Sequence, residues 1–135
     1  MIQHIYVNLP VADLGRSRRF FEGVGFSFNE DFSDDTAAGM EIGAQMSAML
    51  LTHEKLAQFA PTPPADAHAV TEVLVALQVD TRAEVDRLVG AARDHGGDEF
   101  RPAQDHGFMY GRAFRDPDGH IWEIMWMDPS QMPGD

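Results

Sequence analysis

The amino-acid sequence predicts an α+β fold made of two tandem βαβββ modules, in which each module runs strand, helix and three further strands. An internal similarity is the first observation: IYVNLPVADLGRSRRFFEGVGF begins at Ile5, and the similar VLVALQVDTRAEVDRLVGAARDHGG begins at Val73. In both stretches a short apolar run is followed by apolar residues at helical spacing. Glycines then follow each predicted helix, before further strand-like segments.

The first half begins with a strand at Ile5 and continues as an amphipathic helix. Asp13 stands where a helix N-cap belongs, and Gly23 and Gly25 mark the helix end. The apolar helix positions are Leu14, Phe20, Phe21 and Val24. Residues 26–28, 37–42 and 47–51 predict three strands, and the acidic run 29–35 predicts a solvated hairpin rather than a cation site.

The second half repeats this order. Thr81 and Glu84 have the spacing of a capping box, and Gly96 and Gly97 end the predicted helix. Its apolar positions are Val85, Leu88, Val89 and Ala92. Residues 98–101, 108–115 and 120–127 predict strands, and Asp-Pro-Asp-Gly at 116–119 predicts the turn between the last two.

We predict a single domain whose modules span about residues 1–55 and 69–128. Between them, residues 55–68 contain three prolines and several alanines, which is typical of an exposed linker. The tail 128–135 contains two prolines and a glycine, and we expect it to lie loosely on the surface. Neither module is large enough to bury its sheet alone, so the two are expected to pack as one unit.

Composition excludes several classes of function. The chain has 135 residues and no cysteine, which excludes disulfides, thiolate zinc sites and cysteine nucleophiles. Its net charge of −12 argues against nucleic acid and membranes as partners. No apolar run approaches the roughly 18 residues of a membrane span. The N-terminus lacks the basic segment of a signal peptide, so we expect a cytoplasmic protein.

Two motifs carry a resemblance to a known family. One is Val-Ala-Asp-Leu-Gly-Arg-Ser at 11–17, followed by Phe20-Phe21 and by 23–26; the other is Asp-Pro-Asp-Gly-His-Ile-Trp-Glu at 116–123. With the duplication, they resemble the vicinal oxygen chelate superfamily (glyoxalase I, bleomycin-resistance proteins and extradiol dioxygenases). Within this superfamily, the chain resembles the uncharacterised bacterial glyoxalase-like proteins. The resemblance implies a mixed sheet curled around a cavity, with helices outside and a homodimer.

The resemblance also implies four metal-ligand positions, one on each of four strands. In this chain they are Tyr6, Leu50, Leu74 and Glu123. A catalytic zinc typically needs three protein ligands, and only Glu123 is a good one. We therefore expect no divalent metal and no other cofactor, although a metal held by other ligands stays open. His4 shares the strand face of Tyr6, and the other histidines are expected in loops, at element ends or on the opposite strand face.

The same alternation predicts the cavity lining. If the four positions face inward, Asn8, Gln78 and Met125 face inward with them. Tyr110 is a further candidate, although its strand face stays open. The predicted ligand-binding residues are Tyr6, Asn8, Leu50, Leu74, Gln78, Tyr110 and Met125. Glu123 is a candidate general base, or a structural carboxylate that accepts hydrogen bonds from Tyr6 or Tyr110.

Three functions agree with this pattern. The one we favour is a glyoxalase/bleomycin-resistance-like protein that binds a small organic molecule in the inter-sheet cavity without a metal. The second is an enzyme, either a metal-dependent lyase or dioxygenase or a metal-free catalyst that uses Glu123. The third is an interaction module with a filled cavity. Leucines at ligand positions favour the first, but fold alone does not decide function.

Overall fold

The computed structural model describes residues 1–131 and confirms the α+β class. The chain divides into two compact units, Met1–Asp66 (unit 1) and Ala67–Asp135 (unit 2). Each unit contains one four-stranded mixed sheet with the βαβββ order, as the tandem modules predict. No helix in the described part of the chain is long and apolar enough to cross a membrane.

Unit 1 is a sheet with one long helix. Its elements in chain order are β1 Ile5–Val11, α1 Leu14–Val24, β2 Ser27–Asn29, β3 Ala37–Gly43, β4 Met46–Thr52 and the short α2 His53–Ala57. The strand order is β1-β4-β3-β2, in which β1 is parallel to β4 and the other neighbours are antiparallel. The long crossover between β1 and β4 therefore contains α1.

Unit 2 repeats the plan. Its elements are β5 Leu74–Gln78, α3 Arg82–Asp94, β6 Gln104–Asp105, β7 Met109–Arg115 and β8 Ile121–Met127. The strand order β5-β8-β7-β6 corresponds strand for strand to the order in unit 1, and β5 is parallel to β8. The internal similarity in the sequence is thus a similarity of topology.

Local capping explains where both long helices begin. The carboxylate of Asp13 accepts the Arg16 N–H at 3.0 Å, and the Thr81 hydroxyl accepts the Glu84 N–H at 3.1 Å. Both acceptors satisfy a backbone donor that the first helical turn leaves free. The predicted capping box forms on its Thr81 side, while the carboxylate of Glu84 bonds to Arg87 instead.

Three predictions about the second half and its flanks need correction or restriction. The predicted strand 98–101 is a single bridge between Asp98 and Arg115, and the edge strand is the two-residue β6. Pro102 explains this, since proline has no N–H to donate to a ladder. The predicted linker begins inside α2, which sequence analysis missed. In the tail, 129–131 form a 3₁₀ turn, and 132–135 lie outside the described residues.

Each helix covers one face of its own sheet. α1 packs on β3 and β4, and α3 packs on β7 and β8. The side chains buried on the helix side of sheet 1 are Leu9, Val11, Ala38, Met40, Ala48 and Leu50. On the helix side of sheet 2 they are Phe114, Trp122 and Ile124. We call the other side of each sheet its open face.

A buried carboxylate fixes the turn between β7 and β8. Asp116 is 3% exposed and accepts three N–H groups, from the backbones of Asp118 (2.9 Å) and His120 (3.0 Å) and from the Trp122 indole (3.1 Å). Burial raises its pKa, against the opposing effect of these hydrogen bonds. Gly119 has φ +89°, and a Cβ there would lie 2.7 Å from the His68 nitrogen. The Asp-Pro-Asp-Gly motif is therefore structural in this chain.

Candidate functional site

Strand pairing decides which residues share a face of sheet 1. Tyr6 lies opposite Ser47, and Asn8 lies opposite Met49. Leu50 instead lies opposite Leu9, on the helix side, and it is 0% exposed. The prediction that Leu50 shares a face with Tyr6 is therefore wrong. Because side chains alternate along a strand, a register error of one residue exchanges the two faces. Met49 therefore occupies the position on the open face that the sequence analysis assigned to Leu50.

A pocket of about 600 Å³ lies against the open face of unit 1. Tyr6 and Met49 line it from the sheet, and Phe26 and Phe32 add aromatic surface from the segments beside it. Its polar groups come from His4, Glu41, Ser47 and Asn29. Polar and apolar groups contribute about equally to the lining. Apolar and aromatic contacts combined with polar groups that orient a ligand occur in small-molecule sites.

The polar groups of this pocket lie close together. His4 Nε2 is 2.8 Å from the Ser47 hydroxyl, and the His4 and Tyr6 rings stack with centroids 4.1 Å apart. Glu41 lies directly opposite Ser47 on the next strand. His4 was noted in the sequence for its strand face, whereas Ser47 and Glu41 were missed. Ser47 lies two residues before Met49 and therefore on the same strand face, but this could be used only once the register of β1 and β4 was known.

In unit 2, pairing sets a second group of predicted residues side by side. Leu74 lies opposite Ile121, Ala76 opposite Glu123, and Gln78 opposite Met125. Leu74, Gln78, Glu123 and Met125 therefore share the open face of sheet 2, and Leu74 is 50% exposed. Their role in ligand binding stays a prediction.

Tyr110 lies on the other side of this sheet. It pairs with Trp126, and its hydroxyl donates to Asp86 of α3 at 2.6 Å. Arg112 also bonds to Asp86, at 2.9 Å, so the β7 side chains of this face hold the helix. Glu123 pairs with Ala113, three residues from Tyr110 on the same strand. An odd offset places Tyr110 and Glu123 on opposite faces, so the prediction that Tyr110 lines the same cavity as Glu123 is wrong.

The partner that the structure gives Glu123 is Arg101. Arg101 Nη2 lies 2.5 Å from Glu123 Oε2, and the two side chains are 29% and 21% exposed. The predicted donor Tyr110 bonds to Asp86 instead. Arg101 precedes Pro102 in an irregular segment, and no local pattern in the sequence connects it with Glu123. The Glu123 carboxylate is thus already engaged in an ion pair.

Comparison with known proteins agrees with this architecture. The family model of the Glyoxalase/Bleomycin resistance protein/Dioxygenase superfamily matches residues 2–124. The chain belongs to this superfamily. No curated protein matches it.

Solved structures share the fold over nearly the whole chain. Hypothetical protein SA1046 from S. aureus is 30% identical, with a TM-score of 0.80 over 93% of this chain and 95% of that one. A glyoxalase/bleomycin resistance protein/dioxygenase family enzyme from Burkholderia phytofirmans PsJN is 24% identical, with a TM-score of 0.72 over 90% and 96%. Fosfomycin resistance protein FosX from Mesorhizobium loti is 22% identical, with a TM-score of 0.67 over 97% and 98%. The last two likenesses show the fold alone.

The donor chemistry does not fit the divalent metal that the superfamily resemblance implies. After the register correction, the four positions hold Tyr6, Met49, Leu74 and Glu123. Leucine has no lone pair, thioether sulfur is a soft ligand unsuited to such a metal, and Glu123 is already bonded to Arg101. Within residues 1–131, no three His, Asp or Glu side chains form a group that could hold a metal ion.

Proposed function

We propose that the protein binds a small organic molecule without the divalent metal of its superfamily. The observation that carries this proposal is the pocket of about 600 Å³ on the open face of unit 1. Its volume lies within the range of about 300–1,000 Å³ found for ligand pockets. We also propose Asn8, beside Tyr6 on the open face of sheet 1, as a ligand-binding residue. Leu74, Gln78 and Met125, which share the open face of sheet 2, are proposed as ligand-binding residues of unit 2. Leu50 and Tyr110 no longer belong to the proposed ligand-binding residues.

The lining indicates the class of ligand. Phe26, Phe32 and Met49 provide apolar and aromatic contact, and the His4–Ser47 pair can donate or accept a hydrogen bond. Glu41 places a carboxylate in the same lining. An anionic ligand would be repelled by it, so a neutral or cationic molecule with an apolar body fits best.

A thermal-shift screen of neutral and cationic aromatic compounds tests this proposal. A compound that binds only the folded chain raises its apparent melting temperature by mass action. Met49→Ala should weaken a hit, whereas Met46→Ala is a matched control, because Met46 lies on the same strand but outside the pocket lining. If no compound shifts the melting temperature, or if both variants weaken a hit equally, the open-face pocket is not the binding site.

A metal-dependent lyase or dioxygenase is the alternative, and elemental analysis separates the two. Protein purified without chelator should contain far less than one equivalent of Ni, Zn, Fe or Mn for each chain. A stoichiometric metal would refute the metal-free proposal. For a metal-free enzyme with Glu123 as base, Glu123→Gln should abolish activity, while simple binding on sheet 1 should survive this change.

We also propose that the chain forms a homodimer and resides in the cytoplasm. The superfamily resemblance supports the dimer, and the composition supports the location. Light scattering of the purified protein measures the first, since a mass near 15.0 kDa would identify a monomer.

A further inference from the structure

A histidine and a serine with complementary chemistry, His4 and Ser47, meet in the open-face pocket of unit 1. His4 Nε2 is 2.8 Å from the Ser47 hydroxyl, although the two residues are 43 positions apart in the chain. Both residues are half-buried. An imidazole bonded to a hydroxyl is the arrangement with which proteins activate serine as a nucleophile. The pair therefore has a chemical capacity that ligand binding alone does not use.

The register of sheet 1 brings the two side chains together and supports the histidine ring. Tyr6 lies opposite Ser47 in the parallel pairing of β1 and β4, and His4 comes two residues before Tyr6. The His4 and Tyr6 rings stack, with centroids 4.1 Å apart and planes 17° apart. Stacking on one side and the bond to Ser47 fix the direction in which Nε2 points. A general base needs this orientation before it can take a proton.

The hydrogen bond between the two has the polarity of nucleophile and base in one tautomer of His4. With its proton on Nδ1, a neutral imidazole has an acceptor lone pair on Nε2. Ser47 then donates its O–H to this nitrogen. The hydroxyl proton can pass to His4 along this bond when Ser47 Oγ attacks an electrophile.

The residues around Ser47 indicate which electrophile fits. Glu41 lies directly opposite Ser47 on β3, and side chains paired in this way have Cβ atoms about 5 Å apart. Its carboxylate disfavours an anionic substrate. Phe26 and Phe32 provide aromatic surface in the same lining. A neutral molecule with an apolar or aromatic part therefore fits beside Ser47.

Side-chain amides in the lining can bond to the carbonyl oxygen of such a molecule. Attack on a carbonyl carbon places negative charge on its oxygen, which N–H donors stabilise. Asn29 Oδ1 accepts the Asp31 N–H at 3.0 Å, which leaves the amide NH₂ of Asn29 as a donor. Gln45 contributes a second amide to the lining.

We propose that Ser47, activated by His4, is a nucleophile that accepts the acyl group of small neutral esters. Ser47 Oγ bonds to the ester carbonyl carbon while its proton passes to His4 Nε2. The C–O bond to the leaving group then breaks, and the alcohol departs with that proton. Water attacks the acyl-serine next: His4 takes a proton from the water and returns it to Ser47 Oγ, and the free acid leaves. This proposal rests on the open-face pocket of the proposed function and adds a reaction to it.

p-Nitrophenyl acetate, a neutral ester with an aromatic leaving group, tests the proposal on the whole chain. Peptide mass spectrometry of the quenched reaction should locate an acetyl group on Ser47. His4→Gln should slow this acetylation by at least about 100-fold, the usual contribution of a general base. His53→Gln is the matched control, because His53 is exposed in the same unit, at the start of α2, and lies outside the pocket lining. It should leave the rate unchanged.

Three results would overturn the proposal: no acetyl group on Ser47, an acetyl group on His4 in its place, or equal rates in the two histidine variants. The labelling uses the unchanged chain, so it decides the question even where His4→Gln does not fold. A compound that binds this pocket in the thermal-shift screen, while Ser47 stays unlabelled, would exclude the nucleophile and leave the proposed binding function intact. An acetylated Ser47 without any such compound would support the nucleophile although the binding proposal fails.

Discussion

Replacing Leu50 by alanine is expected to lower the free energy of unfolding by about 3 kcal/mol. Leu50 is 0% exposed and lies opposite Leu9 and Ala38 on the helix side of sheet 1. The change removes three carbon atoms, which at ~0.8 kcal/mol each costs about 2.4 kcal/mol in transfer free energy. A cavity that collapses only partly adds to this, and buried Leu→Ala changes cost about 2–5 kcal/mol in total.

Urea unfolding followed by circular dichroism measures this difference. We expect a lower midpoint with an unchanged slope, and a melting temperature about 10 °C lower for a domain of this size. Met49→Ala is the comparison on the same strand, because Met49 is half-buried on the opposite face. It should cost no more than about 1.5 kcal/mol. If Met49→Ala costs as much as Leu50→Ala, the strand register described for β1 and β4 is wrong.

Three further changes test other parts of the structure. Asp116→Ala leaves three N–H groups without their acceptor and should lower the free energy of unfolding, measured in urea, by about 2–3 kcal/mol. The control Asp35→Ala, at an exposed position, should lower it by no more than about 0.5 kcal/mol. Equal losses in the two variants would contradict a structural role for this turn. Arg112 holds the pKa of Glu99 below its ordinary value of 4.5, so the pair stabilises the fold at neutral pH and this stabilisation is lost as the pH falls through the lowered pKa. Arg112→Met should therefore reduce the loss of stability between about pH 5 and pH 3, and an unchanged acid profile would show that the pair contributes nothing. Thr81→Ala should cost about 1 kcal/mol, and a change within error would exclude a contribution from the cap.

Local features of the fold were predictable because neighbouring residues decide them. The caps Asp13 and Thr81 were identified from residue type and spacing, and the structure confirms both. Within residues 1–131, seven of the eight strands were found at nearly their observed bounds, since apolar spacing and turn residues mark them. The edge strand of sheet 2 was misplaced because its pairing depends on where the chain after Pro102 meets β7 again.

The candidate site was only partly predictable, because it depends on pairing between distant strands. Tyr6 and Met49 meet through the register of β1 and β4, and alternation within either strand carries no information about the other strand. The strand face of Tyr110 was open for the same reason. Arg101 reaches Glu123 across 22 residues of chain, from a segment without regular structure.

The sequence by itself determined the two tandem βαβββ modules, their helix starts, and the superfamily to which the chain belongs, since these rest on local spacing and on motifs. Only the tertiary structure decided which side chains share a face, that Leu50 and Tyr110 belong to the helix sides, and that Arg101 holds Glu123. The physical reason is that side chains alternate between the two faces of a β-strand, and the strand's own sequence does not show which face packs against a helix. Only pairing with the neighbouring strands and packing against the helix distinguish the two faces.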